Sequence, residues 1–190
     1  MKIGILGGTF DPVHNGHIVL AYDAMKGAHL DKVIFLPCNI PPHKGHRPVA
    51  SGEDRYRMLN IAVDKNPSFE VSRIELDRSG PSYSVETLKD MKKIIGKGDN
   101  LYFIIGSDSS GDLKSWKDFD KLSGLATFIV ASRPGYDIGK LPAGSQVVPS
   151  KALDVSSSGI RAGLKEGTPQ KGLIPEGVES YITDKGLYGR

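Results

Sequence analysis

Lys2-Ile3-Gly4-Ile5-Leu6-Gly7-Gly8-Thr9-Phe10-Asp11-Pro12-Val13-His14-Asn15-Gly16-His17 begins as an apolar run, breaks on two adjacent glycines and passes into a helix start. A strand that ends in glycine and feeds a helix opens a strand–helix–strand unit. The bare N–H groups at such a helix start form a cradle for phosphate. Two imidazoles enter at the same place. With a helix beginning near Val13, His14 and His17 share one face of its first turn. There they would serve as donors to phosphate oxygens whose charge changes during reaction.

Outward from this stretch, apolar runs predict strands over 2–6, 32–37, 69–76, 101–105, 127–131 and 146–148, and periodic segments predict helices over 17–28, 54–63, 84–95 and 115–122. The alternation indicates an α/β fold, a parallel sheet with helices on both faces. Runs such as Leu-Tyr-Phe-Ile-Ile fit central strands buried on both sides. The tail from Val155 onward reads as a short helical C-terminal segment of two helices, and residues 1–190 are expected to form a single domain. Loops are expected over 38–52, 78–82 and 133–144, rich in Pro or Gly. In an open parallel sheet, ligands bind beyond the carboxyl ends of the strands, where these motifs gather.

The bulk composition narrows the function classes. There are 25 Lys and Arg against 22 Asp and Glu, a formal net charge of +3. This suits an anionic ligand but lacks the basic stripe of a nucleic-acid binder. One cysteine, Cys38, excludes an intrachain disulfide and a thiolate-rich metal site, as expected of a cytoplasmic protein. Neither a leader of the signal-peptide kind nor a membrane-spanning run is read in the sequence. The composition leaves open whether copies associate as a homo-oligomer.

The first motif is not the G-x-G-x-x-G dinucleotide fingerprint, because its glycines are adjacent and His-x-x-His follows. Gly-Thr-Phe-Asp-Pro-Val-His-Asn-Gly-His resembles the signature of the nucleotidyltransferase superfamily. That superfamily's second signature, a Ser/Thr-rich turn leading to Ile-Arg, matches residues 156–161, about 140 residues downstream. The match implies a Rossmann-like doubly wound parallel sheet. Further phrases are similar to its nicotinate-mononucleotide branch, the bacterial-type nicotinate-nucleotide adenylyltransferases: Pro41-Pro42-His43-Lys44, Arg78, Pro81-Ser82-Tyr83-Ser84 with Thr87-Leu88, Gly106-Ser107-Asp108, Trp116, and Ser132-Arg133-Pro134-Gly135. The superfamily more often shows Ser-Ser-Thr and then an acidic or other polar residue, so Ser158 and Gly159 depart mildly from it.

The resemblance implies adenylyl transfer from ATP to nicotinate mononucleotide by direct in-line displacement, giving deamido-NAD and pyrophosphate. Nicotinamide mononucleotide or phosphopantetheine are the alternative acceptors. His14, His17, Lys44 and Arg161 are the expected catalytic residues. Gly7, Gly8, Thr9, Phe10, Gly16, Ser156, Ser157 and Ser158 are expected around ATP, and Tyr83, Ser84, Thr87, Gly106, Asp108, Trp116 and Arg133 around the pyridine nucleotide. Mg²⁺ is expected mainly on ATP phosphates, with no dedicated protein metal site.

Each residue also has a plain structural reading. His14 can cap its helix, His17 can be a core histidine bonded to backbone, and Asp11 can stabilise the turn before Pro12. Gly16 is read as leaving room for a base or phosphate. Ser84 can be an N-cap, Trp116 an ordinary half-buried residue, Asp108 a cap, and Arg133 a phosphate ligand or a surface residue. A plain N-cap accounts for one serine of 156–158 but not for the set. Zinc on His14, His17, His43 and His46 is disfavoured, because structural zinc sites favour tight spacing and thiolates.

Overall fold

Both faces of the central strands are apolar because alternate residues feed two separate cores. From the first strand Ile3 and Ile5 enter one core and Leu6 the other; from the fourth, Leu101, Phe103 and Ile105 oppose Tyr102 and Ile104. The period of two along a strand makes each face its own layer. In this computed structural model the described residues are 1–42, 47–133, 138–139, 141–151 and 153–189. The strands are β1 (Lys2–Gly8), β2 (Lys32–Pro37), β3 (Phe69–Val71), β4 (Asn100–Gly106), β5 (Thr127–Ser132) and β6 (Gln146–Pro149). They form one six-stranded sheet in the order β3-β2-β1-β4-β5-β6, with all neighbours parallel.

Helices α1 (Asn15–Gly27) and α2 (Gly52–Val63) cover the face of Leu6, Phe35 and Ile104, while α3 (Ser84–Ile94) covers the opposite face. The short α4 (Ser107–Ser110) and α5 (Phe119–Leu122) link β4 to β5. The last two helices, α6 (Ser157–Lys165) and α7 (Glu176–Asp184), return to the α1/α2 face, where Ile160, Leu164, Val178 and Ile182 are buried. Connections from β1 leave toward β2, whereas the chain re-enters the sheet at β4 on the other side of β1. The crevice between the carboxyl ends of β1 and β4 is therefore the topological switch point of a doubly wound sheet.

Local departures from the sequence reading have identifiable causes. The strand expected over 69–76 stops at Val71, because its last ladder bond runs from Ser72 N–H to Phe35 O and the chain then turns, with Asp77 N–H on Arg73 O. Ile74, which reads as strand alternation, instead packs on the α3-side core. The helix expected over 115–122 is split into a 3-10 turn at Leu113–Ser115 and α5, because Trp116 is extended and Asp118 is left-handed (φ 54°). Helix α1 begins at Asn15 rather than Val13, which makes His14 its N-cap.

Candidate active site

At the carboxyl end of β1 the chain turns, held by a local ring contact and by bonds from distant residues. Phe10 takes a left-handed backbone (φ 51°) and buries its ring against Gly8, where a Cβ would lie 2.9 Å from that ring. Phe10 thus belongs to the core beneath the glycine turn; its side chain has no surface to offer ATP. Asn15 is pinned by its N–H to Leu173 O (2.8 Å) and its side-chain amide to Gly172 O (2.9 Å). Ser157 Oγ donates to Pro12 O (2.9 Å), and Arg161 Nη1 to Asp11 O (2.7 Å). The second motif is thereby laid directly on the first.

At this junction the amides of two helix ends converge. Ser156 caps α6 by accepting the Gly159 N–H (3.1 Å) and pairs its hydroxyl with that of Ser158 (3.1 Å). Among the described residues the N–H groups of Gly16, Ser157 and Ser158 meet no acceptor. Together with two exposed hydroxyls and the Arg161 guanidinium, which has the Asp11 carboxylate 3.8 Å away, they form a donor-rich set whose chemistry suits an anion. Arg161 lies one residue past the first turn of α6, so it points back over that turn, as a helical side chain does.

The two histidines do not sit side by side on a helix face; they stack. Their ring centroids are 3.6 Å apart at 21°, His14 as N-cap and His17 two residues inside the helix. The His14 N–H donates to His17 Nδ1 (3.2 Å), so His17 Nδ1 is an acceptor and its ring proton sits on Nε2. The Phe10 ring packs on His17 edge-on, 4.9 Å away. His14 is buried, and burial, with the nearby Arg133 charge, lowers its pKa to about 4. It is therefore a neutral ring whose buried Nδ1 meets no hydrogen-bond partner among the described residues. His14 thus holds the N-cap position without a side-chain cap bond, and the half-buried His17 is bonded to backbone. The space at Gly16 goes elsewhere than expected: a Cβ would meet Val155 at 2.9 Å and His14 Nδ1 at 3.0 Å, so glycine there lets the ring and the α6 lead-in close on the helix.

Across the sheet, the residues read as a pyridine-nucleotide set gather around α3. The N-cap is Tyr83, not Ser84, and it offers no side-chain cap; Ser84 and Val85 N–H meet no acceptor among the described residues. The Lys117 ammonium stands 4.5 Å over the Tyr83 ring, which brings positive charge to this helix start. Trp116 is half-buried, edge-on to Phe103 at 6.0 Å. Thr87 is fully buried: its hydroxyl donates to Glu75 Oε1 (2.6 Å) and accepts from Arg78 (2.9 Å). It supports the helix start from beneath and presents no surface to a ligand. Burial pushes the Glu75 carboxyl up, opposed by bonds from Thr87 and Ser82 and by the Arg78 charge.

Between the two halves, at the end of β4, Asp108 is exposed, and a Cβ at Gly106 would collide with its carboxylate. Arg133 lies 3.7 Å from Asp108 and 3.9 Å from Asp154, and its charge reaches His14. Gly7 and Thr9 line the β1 turn. Lys44, with His43, His46, Pro134 and Gly135, lies outside the described residues. Sequence reasoning passed over two buried charges. Arg55 bonds Thr9 O and Cys38 O through Nη1 (2.8 Å each), and Glu75 sits under Thr87. A charged residue on the apolar stripe of a helix, as Arg55 is beside Met58 and Leu59, was the available signal.

The sequence matches the cytidylyltransferase-like family over residues 5–163. It is 43% identical over 198 residues to the probable nicotinate-nucleotide adenylyltransferase of Moorella thermoacetica, covering 98% of this chain and 91% of that one. To the protein of the same name from Streptomyces coelicolor it is 42% identical, covering 96% and 98%. The fold is shared with the Plasmodium falciparum nicotinic acid mononucleotide adenylyltransferase complexed with NaAD, at a TM-score of 0.78 and 21% identity over 98% of this chain and 97% of that one.

Proposed function

Because the chain belongs to the nicotinate-nucleotide adenylyltransferases of the cytidylyltransferase-like family, we propose that residues 1–190 form one nucleotidyltransferase domain that joins ATP and nicotinate mononucleotide. A phosphate oxygen of the mononucleotide attacks the α-phosphorus of ATP. The bond from that phosphorus to the bridging oxygen breaks, and pyrophosphate leaves with the electron pair. Deamido-NAD is the other product. The observation that supports this reading is the pair of bonds from Ser157 to Pro12 O and from Arg161 to Asp11 O, which lays two motifs far apart in sequence against each other.

In this reading the protein positions charge and neutralises it, without a covalent intermediate. His17 Nε2–H and the Gly16 N–H meet the α-phosphate, with His14 as a neutral ring beside them. The α6 amides, Ser156 to Ser158 and Arg161 hold the pyrophosphate end as its charge grows. Lys44 is assigned to the same phosphates by its place in the sequence. Mg²⁺ is assigned to ATP itself, because the donors at the α6 end are N–H, hydroxyl and guanidinium, which suit phosphate oxygens and not a cation. Bound there, the ion would screen triphosphate charge. The N–H groups of Ser84 and Val85, with Lys117 nearby, suit the nicotinate carboxylate, and Trp116 offers a ring face for the pyridine.

The test is an assay with ATP, Mg²⁺ and either the acid or the amide mononucleotide, with products identified by mass spectrometry. Deamido-NAD and pyrophosphate from the acid, at a higher kcat/KM than for the amide, are expected. Preference for the amide would overturn the acceptor, and no pyrophosphate with either would overturn the reaction.

A further inference from the structure

Beneath the phosphate turn lies a buried carboxylate that the reaction does not use. Asp11 is 3% exposed and accepts four hydrogen bonds. Its Oδ2 takes Val49 N–H (2.7 Å), its Oδ1 takes Ala50 N–H (3.0 Å) and the Tyr188 hydroxyl (2.8 Å), and its main-chain carbonyl takes Arg161 Nη1 (2.7 Å). The same Arg161 Nη1 stands 3.8 Å from Oδ2, near but outside a close ion pair. Arg161 is three-quarters covered.

Tyr188 belongs to a 3-10 turn at Leu187–Gly189, takes a left-handed backbone (φ 62°), and is buried with Ile160, Leu164 and Val178. An L-residue in that region is disfavoured unless its surroundings hold it. Its phenol stays a donor, because burial and the Asp11 charge hold it protonated.

We propose that Tyr188 is a positioning residue for ATP. By donating to Oδ1 it spreads the carboxylate charge away from Oδ2, the oxygen nearest Arg161, and so keeps Arg161 on the Asp11 carbonyl with its other guanidinium donors left for the triphosphate. Without the hydroxyl the carboxylate lacks one donor and draws Arg161 into a close ion pair, and that guanidinium is lost to the phosphates. A charge-assisted bond of this kind is worth enough to bias such a choice by about tenfold. The inference rests on the adenylyl-transfer reading and assigns to its ATP half a residue outside both motifs.

Tyr188→Phe removes the hydroxyl and keeps the ring, so the packing of the turn survives. Its KM for ATP should rise about tenfold and its kcat should fall as well, because Arg161 meets charge that grows as pyrophosphate leaves, with the KM for nicotinate mononucleotide within twofold of the parent. In an Arg161→Lys background the same substitution should change the ATP KM by less than twofold, because the fork that Asp11 captures is gone. A lower Tm with both KM values unchanged, equal rises in both KM values, or additive effects in the two backgrounds would overturn the proposal. Direct ATP binding by calorimetry separates it from the parent reading. If the protein forms no product, a Kd for ATP weakened about tenfold by Tyr188→Phe still supports the clasp, and an unchanged Kd sinks it.

Discussion

With Nδ1 engaged by the His14 N–H, His17 carries its proton on Nε2, and that single donor is assigned to the α-phosphate. His17→Ala should leave the circular dichroism spectrum intact and lower kcat about a hundredfold or more, as loss of a preorganised transition-state donor does; near-normal pyrophosphate release would refute the assignment. His14 makes a separate prediction. Its pKa is lowered from 6.5 to about 4, so above pH 6.5 the ring is neutral folded or unfolded and costs nothing. As pH falls from 6.5 toward 4, the unfolded chain takes up a proton that the fold refuses, and stability is lost, up to ~3 kcal/mol. Urea melts at pH 7 and pH 4.5 should show this loss in the parent and a smaller one in His14→Asn. The pair was readable as residue types and spacing, but its stacking was not: the N-cap falls at His14 because Asn15 is held from outside by Gly172 and Leu173.

At the scale of elements, the site is the meeting of helix starts, and each meeting depends on a close approach. Helix α1 touches the lead-in to α6 at Gly16, where a Cβ would stand 2.9 Å from Val155 and 3.0 Å from His14. Gly16→Ala should therefore push the two motifs apart, costing about 1–3 kcal/mol in urea melts and at least tenfold in kcat/KM for ATP. A substitution without effect on ATP would mean that the α6 amides are not part of its site. Strand and helix runs long enough to show a period, such as 32–37 and 84–95, were legible from the sequence. The segment 107–122 was not: Trp116 and Asp118 depart from helical angles while their neighbours keep helix-compatible residues. Likewise Thr87 matched a motif by position, yet its partners Glu75 and Arg78 place it under α3 and away from its open end.

Over the whole molecule, one buried guanidinium ties the sheet to the site. Arg55 is 1% exposed and joins the carbonyls of Thr9, Cys38 and Ala50, the exits of β1 and β2 and the entry to α2. Arg55→Met removes the guanidinium bonds to the carbonyls of Thr9, Cys38 and Ala50 and should lower stability by about 3–5 kcal/mol in urea melts, with activity lost in proportion to the folded fraction. A loss under 1 kcal/mol would show that the strand exits hold themselves. The alternation that makes a parallel sheet with two apolar faces, and the two motifs whose donors suit a triphosphate, are legible along the chain because both are written in local residue order. That α6 lies against the first turn, that His14 is a buried neutral ring, and that Asp11, Arg55 and Tyr188 lie beneath the β1 turn emerges only in the folded chain. Those facts depend on contacts between segments up to 177 residues apart, and local order along a chain carries no record of which distant group completes a buried charge.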